Sequence, residues 1–228
     1  MEKIGYDKRD SEMNSKIYFD IETAPLDESY IVKLAPDFKA PSNYKSDEAI
    51  EKYKLGQLAE FIANAALSAT TGRVVAIGAA VGESFPEIVM DADAENEASI
   101  IEWFWGKIAD QRGVIADDVI GHNSNRFDIP FLIRRSWILG VKIPATVLVR
   151  SRGRMYLNEH FKDTMDAWAC GTMDKIKLDL LAKTFGVGGK NGVGANFYKT
   201  LLSDSAAAFR YLSNDVELTR AVAQKMGM

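Results

Sequence analysis

At 228 residues, 47% hydrophobic and 26% charged, the chain can bury a sizeable core as one large domain or two small ones. Its net charge of −4 does not advertise a polyanionic partner through bulk electrostatics. One cysteine, Cys170, excludes an internal disulfide and any multi-Cys zinc site, and two histidines, His122 and His160, argue against a His-rich metal site.

Residues 1–15 are polar and charged, without the apolar core of a leader, and are expected to form a loose N-terminal arm. No 18-residue apolar run follows, so a cytoplasmic protein without a membrane span is expected. Ile17-Tyr18-Phe19-Asp20-Ile21-Glu22 has the β-branched and aromatic content of a core strand, here ending in two carboxylates. Residues 25–67 read as an insertion after that strand: an irregular excursion to about Ser46, then a helix over Asp47–Leu67 with Ile50, Tyr53, Leu58, Phe61 and Ile62 at helical spacing. Gly72–Val81 is a strand whose small residues imply close packing on both faces. Gly82-Glu83-Ser84 turns it into a hairpin with Glu87–Met90. Glu97–Ala109 is an amphipathic helix, Val119–Gly121 a short strand, and Ile129–Leu139 a helix closed by Gly140. Beyond it, Val147–Val149 suggests a strand with Arg150, Arg152 and Arg154 crowding the following turn, and Phe161–Met165 a last short strand. Leu178–Phe185 is a helix stopped by Gly186. A glycine-rich loop, Gly186–Gly194, leads to a long helix from about Ser203 to Lys225. Strands come early and alternate later with helices, which predicts one mixed α/β domain over 1–228.

Three acidic features stand out. Asp20 and Glu22 are two apart on a strand and share one face, where two carboxylates repel each other as they lose hydration. Asp128 stands at the start of a helix with Pro130 in its first turn, a position equally suited to an N-cap, and Asn123 lies in the preceding turn. Tyr211 and Asp215 are four apart on the C-terminal helix, in line with Ala208, Leu218 and Val222. A carboxylate on that packed stripe has to be paired, hydrogen-bonded, neutral or bound to a cation, with Arg210 or Arg220 as the simplest salt-bridge partners. Should the four acids converge, cations must neutralise them. An all-oxygen ligand set suits Mg²⁺ or Mn²⁺, and two such ions about 4 Å apart are the device for in-line attack on a phosphodiester.

The order Phe-Asp-Ile-Glu-Thr, then Asn-x3-Phe-Asp-x-Pro-Phe-Leu, then Tyr-x3-Asp resembles the DEDD superfamily of 3′–5′ exonucleases. Tyr211 places the resemblance with the tyrosine subgroup, which contains the proofreading exonucleases of family A and B DNA polymerases; a histidine-type member would want His where Arg210 stands. Nothing remains of the chain for a polymerase domain, so it resembles a free-standing exonuclease of the family B polymerase-associated type. The resemblance implies a ribonuclease H-like α/β fold, a mixed sheet of about five strands flanked by helices.

It further implies that Asp20, Glu22, Asp128 and Asp215 hold two metal ions, one activating a water and the other stabilising the departing 3′-oxygen, with Tyr211 orienting the water. The expected substrate is the 3′ end of DNA, single-stranded above all, with a DNA replication or repair protein as candidate partner. Thr23 and Asn123 are candidates to contact the terminal nucleotide. Arg150, Arg152 and Arg154, with Tyr156, suit a single-strand backbone and a stacked base, although a solvated hairpin tip explains them as well. Lys190 is a further candidate for phosphate, against the simpler reading of a flexible loop. Asp163 and Asp166 are expected to be structural, and Trp168 and Cys170 to pack. The rival functions are a 3′–5′ exoribonuclease and a non-catalytic nucleic-acid-binding module; the latter usually lacks one or more of the acids.

Overall fold

The computed structural model describes residues 16–115, 117–192 and 194–228; the expected N-terminal arm, residues 1–15, lies outside them. The organising strand is β1, Lys16–Pro25, which continues past the two acids rather than ending on them. It pairs antiparallel with β2, Gly72–Val81, and parallel with β4, Asp118–Gly121. β3, Glu87–Met90, lies antiparallel outside β2, and β7, Phe161–Asp163, parallel outside β4. The result is a five-stranded mixed sheet in the order β3-β2-β1-β4-β7, flanked by helices as the sequence predicts.

Alternation along β1 sorts its side chains onto two different cores. Ile17, Phe19 and Ile21 enter the largest cluster, with α3 (Glu97–Ile108) and α4 (Asp128–Leu139). Tyr18 points the other way, against Val216 and Ala223 of α8, Ser205–Lys225. Asp20 and Glu22 share the face of Tyr18, so the pleat aims both carboxylates at α8. Gly78 lets that helix come close: a Cβ there would lie 2.9 Å from Val216 Cγ2 and 2.7 Å from Ile88 Cδ1. The small residues of β2 therefore serve the close packing expected of them.

The segment after β1 departs from expectation. A short helix, α1 (Glu28–Leu34), is capped by the Asp27 carboxylate where an irregular excursion was expected. α2, Asp47–Ala63, forms as anticipated but buries none of its residues, so Ile50, Tyr53 and Leu58 are not a core stripe. A single 3₁₀ turn, Ala65–Leu67, then leads back to the sheet. Three other differences lie toward the C-terminus. Val147 is buried and the strand begins one residue later: β5 (Leu148–Ser151) and β6 (Arg154–Leu157) form a separate two-stranded hairpin. Arg150 and Arg154 are thus on its strands, and only Arg152, with φ of 49°, is in the turn. β7 stops at Asp163, whose carboxylate caps a short helix, α5 (Thr164–Ala169), through the Met165 and Asp166 N–H groups. After α6 (Leu178–Phe185) the glycine-rich loop leads first to α7 (Phe197–Ser203), a helix too short for periodicity to reveal. Cys170, expected to pack, is exposed.

One buried ion pair ties the α3–α4 side of the sheet together. Arg135 Nε and Nη2 donate to Glu97 Oε1 and Oε2 at 2.8 and 2.6 Å, and Nη1 donates to the Ala69 carbonyl at 3.0 Å. Glu97 Oε1 also accepts the Val74 N–H at 2.8 Å. Every charge in this pair is satisfied, so removing one partner strands the other away from water. Arg135→Ala is expected to cost about 3–5 kcal/mol of folding stability by urea denaturation; a loss under about 1 kcal/mol would mean that solvent reaches Glu97.

Candidate active site

Three elements meet at the acidic cluster. β1 supplies Asp20 and Glu22, both partly buried, and α8 supplies Asp215, which has no exposed surface. One oxygen from each of these three carboxylates lies within 4.8 Å of the others. Asp128 is buried beside them at the first turn of α4. It is not the N-cap, a place taken by Phe127; its Oδ1 instead accepts the Ile21 N–H of β1 at 3.2 Å. That bond crosses from the helix to the residue between the two strand acids.

The electrostatics follow from burial and crowding. Burial, then the charges of Asp128, Asp215 and Glu22, pushes the Asp20 carboxyl well above its ordinary pKa. Glu22 is raised by burial and by Asp215. Burial lifts Asp128 to about 7, against the stabilising hydrogen bonds from its own N–H and that of Ile21. Asp215 is raised by burial, with Lys190 opposing. All four carboxyls hold protons more tightly than free ones, because burial strips much of their hydration and too little positive charge compensates them.

The sole cation touching Asp215 among the described residues is Lys190, not Arg210 or Arg220. Its Nζ lies 2.5 Å from Asp215 Oδ2 and 3.3 Å from the Tyr211 hydroxyl, and 5.5 Å from the centre of the Tyr211 ring. Burial works against the Lys190 charge, yet Asp20 and Asp215 hold its pKa above the usual ammonium value. The glycine-rich loop is thus an arm that carries a cation into the acids. Gly192 permits its path, since a Cβ there would come within 2.8 Å of the Tyr211 ring. Arg210 faces Asp204 instead, and Arg220 binds Glu217 and the carbonyls of Gly82 and Ser84.

Even with Lys190 in place, Asp215 Oδ1 is buried without a hydrogen-bond partner among the described residues. An orphaned oxygen on a carboxylate grouped with two further acids, in an all-oxygen donor set, fits a hard divalent cation. Asp20, Glu22 and Asp215 would hold it, with Asp128 adjoining.

The remaining site candidates separate into near and far groups. Thr23 lines a cleft of about 610 Å³ beside Glu22, together with Ile21, Phe127, Leu67 and Tyr198. Ile62 to Asn64 also line it, so the segment between β1 and β2 forms one wall of the cleft. Asn123 has a left-handed φ of 62° and works through its backbone: its N–H donates to Asp163 Oδ1 at 2.8 Å and its carbonyl accepts from Arg126 and Phe127. Asp163 is accordingly structural, and Asp166 pairs with Arg126. Arg150, Arg152 and Arg154 sit on the exposed β5–β6 hairpin and are not among the residues lining the cleft beside Glu22. His122 is no ligand candidate: Nδ1 bonds Thr164 Oγ1 and Nε2 the Ile176 carbonyl, and burial lowers its pKa.

A family model described as a predicted 3′–5′ exonuclease related to the exonuclease domain of PolB matches residues 64–219, well over half of the chain. The match contains Asp128, Tyr211 and Asp215 and begins after Asp20 and Glu22. No curated protein matches. Among solved structures, the family B DNA polymerase from the hyperthermophilic archaeon Pyrobaculum calidifontis is similar over 93% of this chain, with 19% identity and a TM-score of 0.59. Only 24% of the polymerase is covered, so this chain spans about a quarter of its length. The shared fold is the ribonuclease H-like one expected from the motifs.

Raised carboxyl pKa values have a defined sign in stability. The protonated cluster contributes fully below the ordinary carboxyl value of about 3.8, and that contribution is lost as pH rises from there through the folded-state values, of which Asp128 gives about 7. Protons and divalent cations compete for the same oxygens. Added Mn²⁺ is therefore expected to raise Tm most near pH 8, with the gain shrinking toward pH 6; a gain independent of pH would place binding elsewhere. Lys190→Met is expected to lower the Tm of the metal-free protein and to tighten Mn²⁺ binding in calorimetry. Weakened binding would show that Lys190 assists the ion rather than standing in its place.

Proposed function

Because the chain belongs to the family of predicted 3′–5′ exonucleases related to the exonuclease domain of PolB, we propose that it removes nucleotides from the 3′ end of DNA, preferentially single-stranded, by a two-metal hydrolysis. The observation that carries this reading is the meeting of Asp20, Glu22 and Asp215, one of whose buried oxygens has no hydrogen-bond partner among the described residues, with Asp128 bonded to the same strand. Two Mg²⁺ or Mn²⁺ ions, when bound, would polarise the phosphate and stabilise charge on the attacking and departing oxygens. The chain's own residues do the rest. Asp20, Glu22, Asp128 and Asp215 fix the positions of positive charge relative to the cleft.

Tyr211 reaches the cluster from one turn before Asp215. Burial and the charges of Asp215 and Glu22 push its pKa far above the ordinary phenol value, so the hydroxyl keeps its proton. It acts as a hydrogen-bond donor and positioner of the attacking water rather than as a base. The cleft beside Glu22 and Thr23 receives the terminal nucleotide, where apolar side chains such as Phe127 and Leu67 suit a base. Lys190, paired with Asp215, would be released toward phosphate once divalent charge neutralised that carboxylate. Asn123 holds the turn that places Phe127 and Asp128, and Arg150, Arg152 and Arg154 contact the strand farther from its end.

Digestion of a 5′-labelled single strand tests this directly. With Mg²⁺ a ladder shortening from the 3′ end is expected, and none with chelator. Asp20→Ala and Asp215→Ala should abolish cleavage with the fold retained by circular dichroism, and full activity in either would refute the ligand assignment. Tyr211→Phe should lower kcat about 10²-fold while leaving Mn²⁺ affinity nearly unchanged. Faster digestion of an RNA strand than a DNA strand would move the substrate to RNA.

A further inference from the structure

On β2, beyond the point where Glu22 pairs with it, stands a buried guanidinium without a carboxylate partner. Arg73 is 4% exposed, and among the described residues it forms no salt bridge. Its Nη2 donates to the Ala92 carbonyl at 2.6 Å and to the Tyr198 hydroxyl at 3.1 Å, and the guanidinium carbon lies 5.3 Å from the centre of the Tyr198 ring. Nη1 is buried without a hydrogen-bond partner among the described residues. Arg135, by contrast, has its charge met by both oxygens of Glu97. A cation buried on the terms of Arg73 opposes folding. Packing alone does not account for it, since an apolar side chain would fill the same place more favourably.

A one-residue bulge aims Arg73 where it is. Glu22 pairs with Ala76 and Thr23 with Val74, so Val75 is an extra residue in β2. Val74 and Ile77 accordingly both face the α3 side. Val75, Ala76 and Ala24, the pairing partner of Arg73, lie in the cluster with Phe197 on the other side. Unbroken alternation would have sent Arg73 to the face of Ile77. The bulge returns it to the face of Glu22, where it meets Tyr198 of α7, which lines the terminal cleft with Thr23, Pro25 and Lys199.

We propose that Arg73 is a positioning residue: by holding the Tyr198 hydroxyl, it fixes the ring against which the 3′-terminal nucleotide is aligned beside Glu22. This rests on the exonuclease reading above and adds to it a residue that acts through another. α7 needs such a tie. It follows the glycine-rich loop, is 7 residues long, and its N-cap, Asn196, makes no side-chain capping hydrogen bond. Arg73 joins the first turn of α7 to β2 and, through the Ala92 carbonyl, to the segment after β3. With its hydroxyl engaged, Tyr198 offers the cleft chiefly ring surface, which suits a base or deoxyribose without regard to sequence. Misplacing a bound substrate by about 1 Å can slow reaction about 10²-fold, so a loosened wall is felt in the rate of cleavage.

The test compares the full-length protein with Arg73→Met, Tyr198→Phe, Tyr198→Ala and the double variant Arg73→Met/Tyr198→Ala. It measures Mn²⁺ affinity by calorimetry and, with Mg²⁺, the single-turnover rate at which a 5′-labelled single strand is shortened. Arg73→Met is expected to slow that rate about 10- to 100-fold with Mn²⁺ affinity unchanged. Tyr198→Phe should slow it in the same sense, and Arg73→Met should add no further loss in the Tyr198→Ala background. A purely structural role predicts instead a further loss of similar size in that background, and this result overturns the proposal. Weakened Mn²⁺ binding in Arg73→Met would mean that Arg73 acts on Glu22 across the bulge, and likewise overturns it. Should Arg73→Met fail to fold, Tyr198→Phe decides alone, and a wild-type rate there overturns the proposal. Wild-type rates in both single variants do the same and leave the exonuclease reading intact. Absence of cleavage by wild type overturns that reading and this inference with it.

Discussion

Mutual repulsion among buried carboxylates is the constraint on which the structure turns. Oxygens of Asp20, Glu22 and Asp215 come within 4.8 Å of one another. Two unit charges at that spacing repel by roughly 3–4 kcal/mol at an effective dielectric constant of about 20. Three such pairs would consume a large part of the roughly 5–15 kcal/mol that holds a domain folded. The arrangement persists because protons are held tightly, because Lys190 lends one positive charge, and because the scaffold around the acids is rigid. β1 is central in the sheet, Asp128 is bonded to its Ile21 N–H, and α8 lies against it over Gly78 of the neighbouring strand. The fold bears an electrostatic load that divalent cations would relieve.

Two simple periodicities made much of this site legible in the sequence. Alternation on a strand sets Asp20 and Glu22 on the side of Tyr18, and a four-residue helical step sets Tyr211 over Asp215. Each is a local rule, and the sheet and α8 then bring the two faces together. The boundaries of long elements such as Gly72–Val81 are similarly plain because strong apolar patterning fixes them. Short helices escaped: Glu28–Leu34, Thr164–Ala169 and Phe197–Ser203 span only about two turns each, too few to display a stripe.

Two further misses have different causes. Lys190 is legible in the sequence only as a phosphate candidate; its pairing with Asp215, expected of Arg210 or Arg220, is not, because it lies in a loop without period 25 residues away and no local rule links a loop lysine to a distant helix face. Its only sequence signal is the glycines around it, which mark a backbone able to approach Tyr211 closely. In Asp47–Ala63 the opposite error arises: apolar residues occur at helical intervals, yet none is buried, because the helix stands outside the main sheet and its end borders the cleft. Periodicity reports the capacity to pack, and tertiary context decides whether anything is there to pack against.

The same logic joins the cleft to the hairpin. α4 presents Asp128 at its first turn, buries Leu132 and Arg135 against the sheet, and leaves Arg134 and Trp137 outside. One helix thereby runs from the acids to the groove that the β5–β6 hairpin closes. The account stands or falls on whether cations replace protons in the cluster. Calorimetric titration of Mn²⁺ at about pH 7, repeated in buffers of different ionisation enthalpy, measures that exchange. Saturable binding with net proton release is the predicted result. Binding without proton release, or no binding, would contradict it.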